Sequence, residues 1–343
     1  MKSDAVLSNP DPKPLSQAWW RLLLGLAIAG AAVWYFAQNV SAREVWLAAR
    51  SAEPLPILAT IAIIITTGVT KALRWRLIFA PAATRPPRFI SYAAVMLGQM
   101  VNLVSPIPRL GDVMRLYHVH DSADTDIGQA FGTLVTEKSL DLLVMLLTVA
   151  LVLPVLALEV SNPLPTLTLI VGGLLIVLYL LAYQTARVLG LAEWSLGWLP
   201  DALSARLLRI VRATLRGVAA LRDPWLTLRL LLISAFVSLL HILPAYLLAE
   251  AFGFELTLAE AALINFAAFF GILIPAGGIQ FGVQELLISF VLGQLGVENE
   301  AAALSYALVY RAVVIVPPLL IGGLAALTLR WNWRDAWQIA ARR

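Results

Sequence analysis

Long runs of apolar residues, broken by short polar and basic stretches, make up most of the chain. The runs at residues 55–70, 142–158, 164–183 and 226–251 approach or exceed the about 20 helical residues needed to cross roughly 30 Å of hydrocarbon. Such runs predict helices, because lipid offers no partner to an open backbone. Spans are predicted at residues 20–37, 55–79, 128–156, 166–184, 225–252 and 302–329. Two further apolar segments, 89–106 and 261–275, stop at proline-glycine breaks: Pro106-Ile107-Pro108-Arg109-Leu110-Gly111 in one, Pro275-Ala276-Gly277-Gly278 in the other. Each resumes as a second helical stretch, 112–118 and 279–295. These two segments read as re-entrant hairpins, whose irregular backbone is tolerated at membrane depth only inside protein or against a wet cavity.

Residues 201–222 have a different pattern. Arg206, Arg209, Arg212 and Arg216 cluster on one side of a helix, and Leu207, Leu208, Ile210, Val211, Leu215, Val218 and Leu221 fill the other. This predicts a basic amphipathic helix in the headgroup plane; a solvated linker helix is the plainer alternative.

Composition supports the membrane reading, since only 13% of the 343 residues are charged, against about 25% in soluble domains. The distribution of basic residues then sets the topology. Seven of the 25 Lys and Arg lie between Lys71 and Arg115, and seven more between Arg187 and Arg229. The positive-inside rule therefore puts both termini in the cytoplasm, with the first hairpin entering from the cytoplasm and the second from outside. The same placement removes the case for a nucleic-acid partner. The expected fold is an all-α polytopic membrane protein of about six spanning helices and two oppositely oriented re-entrant helical hairpins. A single transmembrane domain, 19–330, is flanked by cytoplasmic tails at 1–18 and 331–343. The stretch after Trp19 lacks a small-residue cleavage site and reads as a retained first span.

The two halves recur in order. Span, hairpin and span at 55–156 parallel span, hairpin and span at 225–329 with opposite orientation, an inverted repeat of the kind that brackets a transporter's midplane site. Charges recur with it. In the first unit Asp112 and Arg115 follow the break, and the next span carries Glu137, Lys138 and Asp141; in the second, Glu285 follows the break and the next span carries Arg311. Arg115 precedes Glu137 by 22 residues and Glu285 precedes Arg311 by 26, so the signs are exchanged. Intramembrane charges are costly and mark substrate or ion paths. Ion pairing that ties hairpin to span is an equally good account. Glu137 and Asp141, one turn apart, share a helix face. A helix beginning at Ile279 would aim free N–H groups at the Gly277-Gly278 break, a seat for phosphate or carboxylate.

Other signals are discounted. With no cysteine and three histidines, disulfide, thiolate and zinc chemistry are not expected. His118, His120, Asp121, Asp124 and Asp126 read as a solvated loop, and His241 as an interhelical hydrogen-bonding group. There is no GxxxxGK[ST] loop and no Ser–His–Asp pattern, and no cofactor is implied. Trp19, Trp20, Trp34, Trp46, Trp75, Trp194, Trp198, Trp225, Trp331 and Trp333 fall near proposed span ends and read as an aromatic belt.

At Lys71-Ala-Leu-Arg74-Trp75-Arg76, Asn102 to Arg115, Glu137-Lys138-Ser-Leu-Asp141 and Pro275 to Glu285, the chain resembles the flippase-like membrane-domain family. That is the transmembrane region of lysylphosphatidylglycerol synthases and of stand-alone homologues. The resemblance covers about residues 19–329. It implies translocation of a lipid or lipid-linked headgroup across the inner membrane, and it points to Asn102, Pro106, Arg109, Gly111, Asp112, Arg115, Glu137, Asp141, Pro275, Gly277, Gly278 and Glu285. The first break reads Pro-Ile-Pro-Arg where the second carries a glycine pair. The sequence ends at Arg343 shortly after its last span, so the aminoacyl transfer of the bifunctional synthases is not expected.

The resulting expectation is a lipid translocase rather than an enzyme, in a bacterial inner membrane. Asn102, Arg109, Arg115, Gly277, Gly278 and Arg311 would hold an anionic or phosphate-bearing headgroup, and Asp112, Glu137, Asp141 and Glu285 would relay protons or gate. A membrane enzyme that modifies headgroups, with Glu137 and Asp141 as acid and base, is the alternative; a non-transporting partner subunit is a third. A homo-oligomer or a lipid-synthesis partner is compatible with each.

Overall fold

A computed structural model describes residues 40–79, 85–105, 109–123, 125–155, 164–273 and 282–328, with Trp34, Phe36 and Gln38. The described residues hold no strand, and their helices are α1 (Ala42–Ser51), α2 (Pro54–Ile78), α3 (Arg88–Val104), α4 (Leu110–Ala123), α5 (Ile127–Val155), α6 (Leu164–Tyr183), α7 (Thr185–Leu196), α8 (Asp201–Val218), α9 (Pro224–Ala251), α10 (Leu258–Leu273), α11 (Val283–Gln294) and α12 (Glu300–Thr328). Helices α2, α5, α6, α9 and α12 coincide with five of the predicted spans to within a few residues. The span expected at 20–37 lies almost wholly outside the described residues.

Three helices, α2, α9 and α12, are long and apolar enough to cross a bilayer, and α6 with α7, bent by 94° at their junction, forms a fourth candidate as one broken span. Leu55, Leu58, Leu151, Leu232, Leu324 and Leu327 stand exposed on the outside of the bundle. A soluble protein rarely leaves so much apolar surface uncovered; a lipid-facing one requires it. The fold is therefore an all-α membrane protein.

Inside, small residues let backbones approach, as expected where no hydrophobic force distinguishes helix from lipid. A Cβ placed on Gly68 of α2 would lie 2.7 Å from Met96 Sδ on α3, and one on Gly322 of α12 would lie 2.6 Å from the Met96 carbonyl. Helix α2 packs along α9, its counterpart in the other half of the chain.

The packing clusters define two ends of the bundle. Phe79, Ile90, Val119, Ala123, Ala130 and Leu226 share one cluster, and Ile57, Val152, Ala249, Leu256, Leu295 and Ala303 share another. Helices α2, α5 and α9 each run from one cluster to the other. The pair α3–α4 leaves and returns to the first, whereas α10–α11 leaves and returns to the second. The two helices of each pair pack against one another. With 17 and 14 residues in one and 16 and 12 in the other, their helices reach only about 18–26 Å at 1.5 Å per residue. Helix α12 packs against α3 and against α11, so it touches both pairs.

Two parts differ from the sequence reading. Helix α1 was not expected; Ser41 caps it by accepting from the Glu44 N–H at 3.4 Å, and Ser305 of α12 donates to the Val45 carbonyl at 3.0 Å. Helix α8 keeps its two-sided pattern, but its apolar side lies against α5, with Leu215 and Val218 buried. The hydrophobic period is the same whether lipid or another helix covers that side, so the headgroup-plane placement does not follow from it.

Candidate functional site

The most polar interior of the described protein lies where α2, α4, α5 and α9 meet. Arg74 on α2 is wholly buried, and its Nη1 donates to Asp141 Oδ1 at 2.6 Å and to Ser234 Oγ at 2.9 Å. Its Nη2 stands 3.6 Å from Glu137 Oε1. Arg115 on α4 meets Glu137 with both terminal nitrogens, Nη1 to Oε1 at 3.3 Å and Nη2 to Oε2. The guanidinium of Arg115 also lies over the ring of Trp75, 3.9 Å from its centroid, a cation–π contact that is strengthened by desolvation. Trp75 Nε1 in turn donates to Thr133 Oγ1 at 3.0 Å.

This is a network of buried charges, whose members hold one another in place because a lone charge there would be prohibitively costly. It is not fully satisfied: Arg74 Nε, Arg74 Nη2 and Arg115 Nε are buried without a hydrogen-bond partner among the described residues. Lys71, one turn from Arg74 and half-buried, lies within electrostatic reach of Asp141 and Glu137. Asp141 is the open member, with 37% of its side chain exposed. At the rim, Lys138 Nζ stands 3.6 Å from Asp112 Oδ1. Lys71, Arg74, Arg115 and Lys138 thus stand among Asp112, Glu137 and Asp141, an excess of one cation over the acids of the network.

The hairpin that carries Arg115 is built by close backbone contact. A Cβ on Gly111 would fall 1.8 Å from the Gly98 carbonyl oxygen. Asn102 accepts from the Gly111 N–H through Oδ1 at 2.8 Å, so its amide oxygen is used in joining α3 to α4. Arg109, exposed at the start of α4, has φ 60°. That left-handed conformation costs a non-glycine residue about 1–2 kcal/mol.

In the second unit, Arg311 Nη1 donates to Glu285 Oε1 at 2.7 Å and lies 3.5 Å from Gln284 Oε1. Both charged partners are buried. The second oxygen of Glu285 accepts from the Gly282 N–H at 2.8 Å, with Gly282 at φ 97°. Helix α11 therefore starts at Val283, later than the expected Ile279, and carries a carboxylate of its own at its N-terminus. The charge of Glu285 complements the positive end of the helix. Gly277 and Gly278 lie outside the described residues, as do Pro106 and Pro275.

The two ion pairs expected from spacing, Arg115 with Glu137 and Glu285 with Arg311, are thus both formed. Each joins the returning arm of a hairpin to the next long helix, with the signs exchanged. Lys71 and Arg74 belong to a segment that carries the resemblance but were not expected as site residues, and Ser234 and Gln284 carried no signal in the sequence. Trp75 is corrected: it is buried beneath Arg115, whereas Trp34, Trp46, Trp194, Trp198 and Trp225 are exposed as a belt requires. The discounted histidines are engaged locally, His118 Nε2 with Ser122 Oγ at 3.1 Å and His120 Nδ1 with the Thr125 carbonyl at 2.5 Å.

Apolar helices around paired, buried charges define a multi-pass membrane protein with a polar interior. The chain belongs to the family described as the lysylphosphatidylglycerol synthase TM region, whose model matches residues 22–322. Its role is accordingly related to membrane lipids. No curated protein matches the chain.

Proposed function

We propose that the protein is a lipid translocase that passes the phosphate-bearing headgroup of a membrane lipid along the polar interior while its tails stay in the bilayer. In this reading α5 and α6 also cross the membrane, α3–α4 and α10–α11 are re-entrant hairpins of an inverted repeat, and the protein sits in a bacterial inner membrane with both termini cytoplasmic. The observation that carries it is the cationic excess around Asp141, with guanidinium nitrogens of Arg74 and Arg115 left without hydrogen-bond partners. A phosphate oxygen approaching Arg74 and Arg115 meets guanidinium donors that already lack acceptors. Exchange of the Arg74–Asp141 contact for an Arg74–phosphate contact costs little, because one charge-assisted hydrogen bond replaces another.

The geometry favours gating over proton relay for Glu137 and Glu285. Every carboxylate oxygen of the two is engaged by a guanidinium or a backbone N–H. The headgroup-modifying enzyme would have to work through Asp141, the one of its two carboxylates with an open side chain. Arg109, retained at a strained backbone position on the exposed start of α4, fits a role in receiving the headgroup.

Reconstitution of the purified protein into liposomes with a labelled phospholipid tests the proposal. Headgroup exposure on the opposite leaflet should rise with the protein and fall with Arg115→Ala or Glu137→Gln. Exposure indifferent to the protein and to both variants would refute translocation, and a chemically altered lipid would establish the enzyme instead.

A further inference from the structure

Away from the central network, α7, α8 and the start of α5 enclose a cleft of about 1090 Å³. Four arginines line it, Arg209, Arg212, Arg216 and Arg222. Two acids offset them: Glu193 accepts from Arg212 at 2.9 Å, and Asp126 stands 3.8 Å from Arg216. Every side chain of the two pairs is at least half exposed, where ion pairs are weak and readily exchanged. Arg222 is spent on structure, donating through Nε to the Ala182 carbonyl at 2.6 Å. Arg209 has no hydrogen-bond or ion-pair partner among the described residues, and the cleft keeps a net positive lining.

Part of the lining is apolar, with Leu189 and Leu208 beside the guanidinium groups. Helix α7, which forms one rim, turns 94° from α6 and exposes Leu191 and Trp194, with Trp198 exposed just beyond its end. Exposed tryptophans beside a leucine are the mark of a segment at the membrane–water boundary. A basic pocket of headgroup size at that boundary, with a partly apolar lining, has the chemistry of an anionic phospholipid site.

We infer that this cleft binds the phosphate headgroup of an anionic phospholipid from the leaflet next to it, with Arg209 and Arg216 as the principal contacts and the lining leucines against the acyl chains. It is separate from the translocation reading, because Arg74, Arg115 and Glu137 take no part in it. Its ligand is a resident lipid that fixes the α7–α8 corner to one leaflet.

The test uses the full chain in nanodiscs of equimolar phosphatidylglycerol and phosphatidylcholine, with retained lipid counted by native mass spectrometry. The wild-type protein should retain phosphatidylglycerol preferentially. The double variant Arg209→Gln/Arg216→Gln, changed at exposed positions, should retain it roughly tenfold to thirtyfold less, as loss of two surface cations predicts. Wild-type retention should also weaken as salt is raised. Retention that is equal in the variant, or insensitive to salt in the wild type, overturns the site. Displacement of the lipid by inorganic phosphate at equal concentration overturns the lipid assignment in favour of a soluble phosphate ligand.

Discussion

Arg74 Nη1 lies 2.6 Å from Asp141 Oδ1, and this contact joins a wholly buried cation on α2 to a partly exposed carboxylate on α5. The asymmetry sets the expected response. Arg74→Ala leaves the buried Glu137 short of a cation, and should cost about 3–5 kcal/mol. Asp141→Asn should cost less, because the site is partly wetted. Thermal unfolding in detergent, followed by tryptophan fluorescence, checks the order. Equal midpoints for the two variants would contradict it.

The pair formed by Glu285 and Arg311 invites a charge exchange. Glu285→Gln and Arg311→Met each leave a buried partner unmatched, whereas removing both in one chain should recover part of the loss. The recovery, read as a coupling in a double-mutant cycle, should be at least about 1 kcal/mol. Additive losses would show that the two groups do not sense each other.

Gly111 is the tightest crossing within α3–α4. Gly111→Ala drives a methyl into the Gly98 carbonyl and should separate the hairpin arms, costing about 1–3 kcal/mol or more. Gly323→Ala, where an added Cβ meets nothing within 4 Å, is the matched control and should leave the thermal midpoint unchanged.

At Arg109 stability and transport should move in opposite directions. Arg109→Gly relieves the left-handed strain and should raise stability by about 1 kcal/mol, while headgroup translocation in liposomes should fall. A variant that gains stability and transports normally would remove Arg109 from the proposed path.

The opposed hairpins have a labelling test. The chain has no cysteine, so single cysteines at Ser122 and Glu298 can be probed without background. Impermeant maleimide should reach them from opposite sides of sealed vesicles, and labelling from one side would refute the orientation.

Much of this arrangement was legible in the sequence, for a physical reason: apolar runs of helical length and proline-glycine breaks are local features. The ends of α2, α5, α9 and α12 follow from them within a few residues. The pairing of Arg115 with Glu137 and of Glu285 with Arg311 was readable because the same spacing recurs with the signs exchanged. Arg74 was not, because the positive-inside rule accounts for any arginine near a span end and assigns it to water. Trp75 was hidden in a similar way, because the aromatic belt accounts for any tryptophan near a span end. The α1 cap, Ser41 with Glu44, was present as a local signature and was passed over. The apolar side of α8 shows that hydrophobic periodicity reports which side is covered, and never by what.

Helix α12 has a consequence of its own. Arg311 fastens it to α11, and Gly322 presses it against α3. Pro317 and Pro318 lie between those two points, inside the helix, and neither can supply an N–H to the carbonyls of Val313 and Val314. The rod that links the two hairpins therefore has its softest joint midway between its attachments, like a rocker arm whose pivot is built into the backbone.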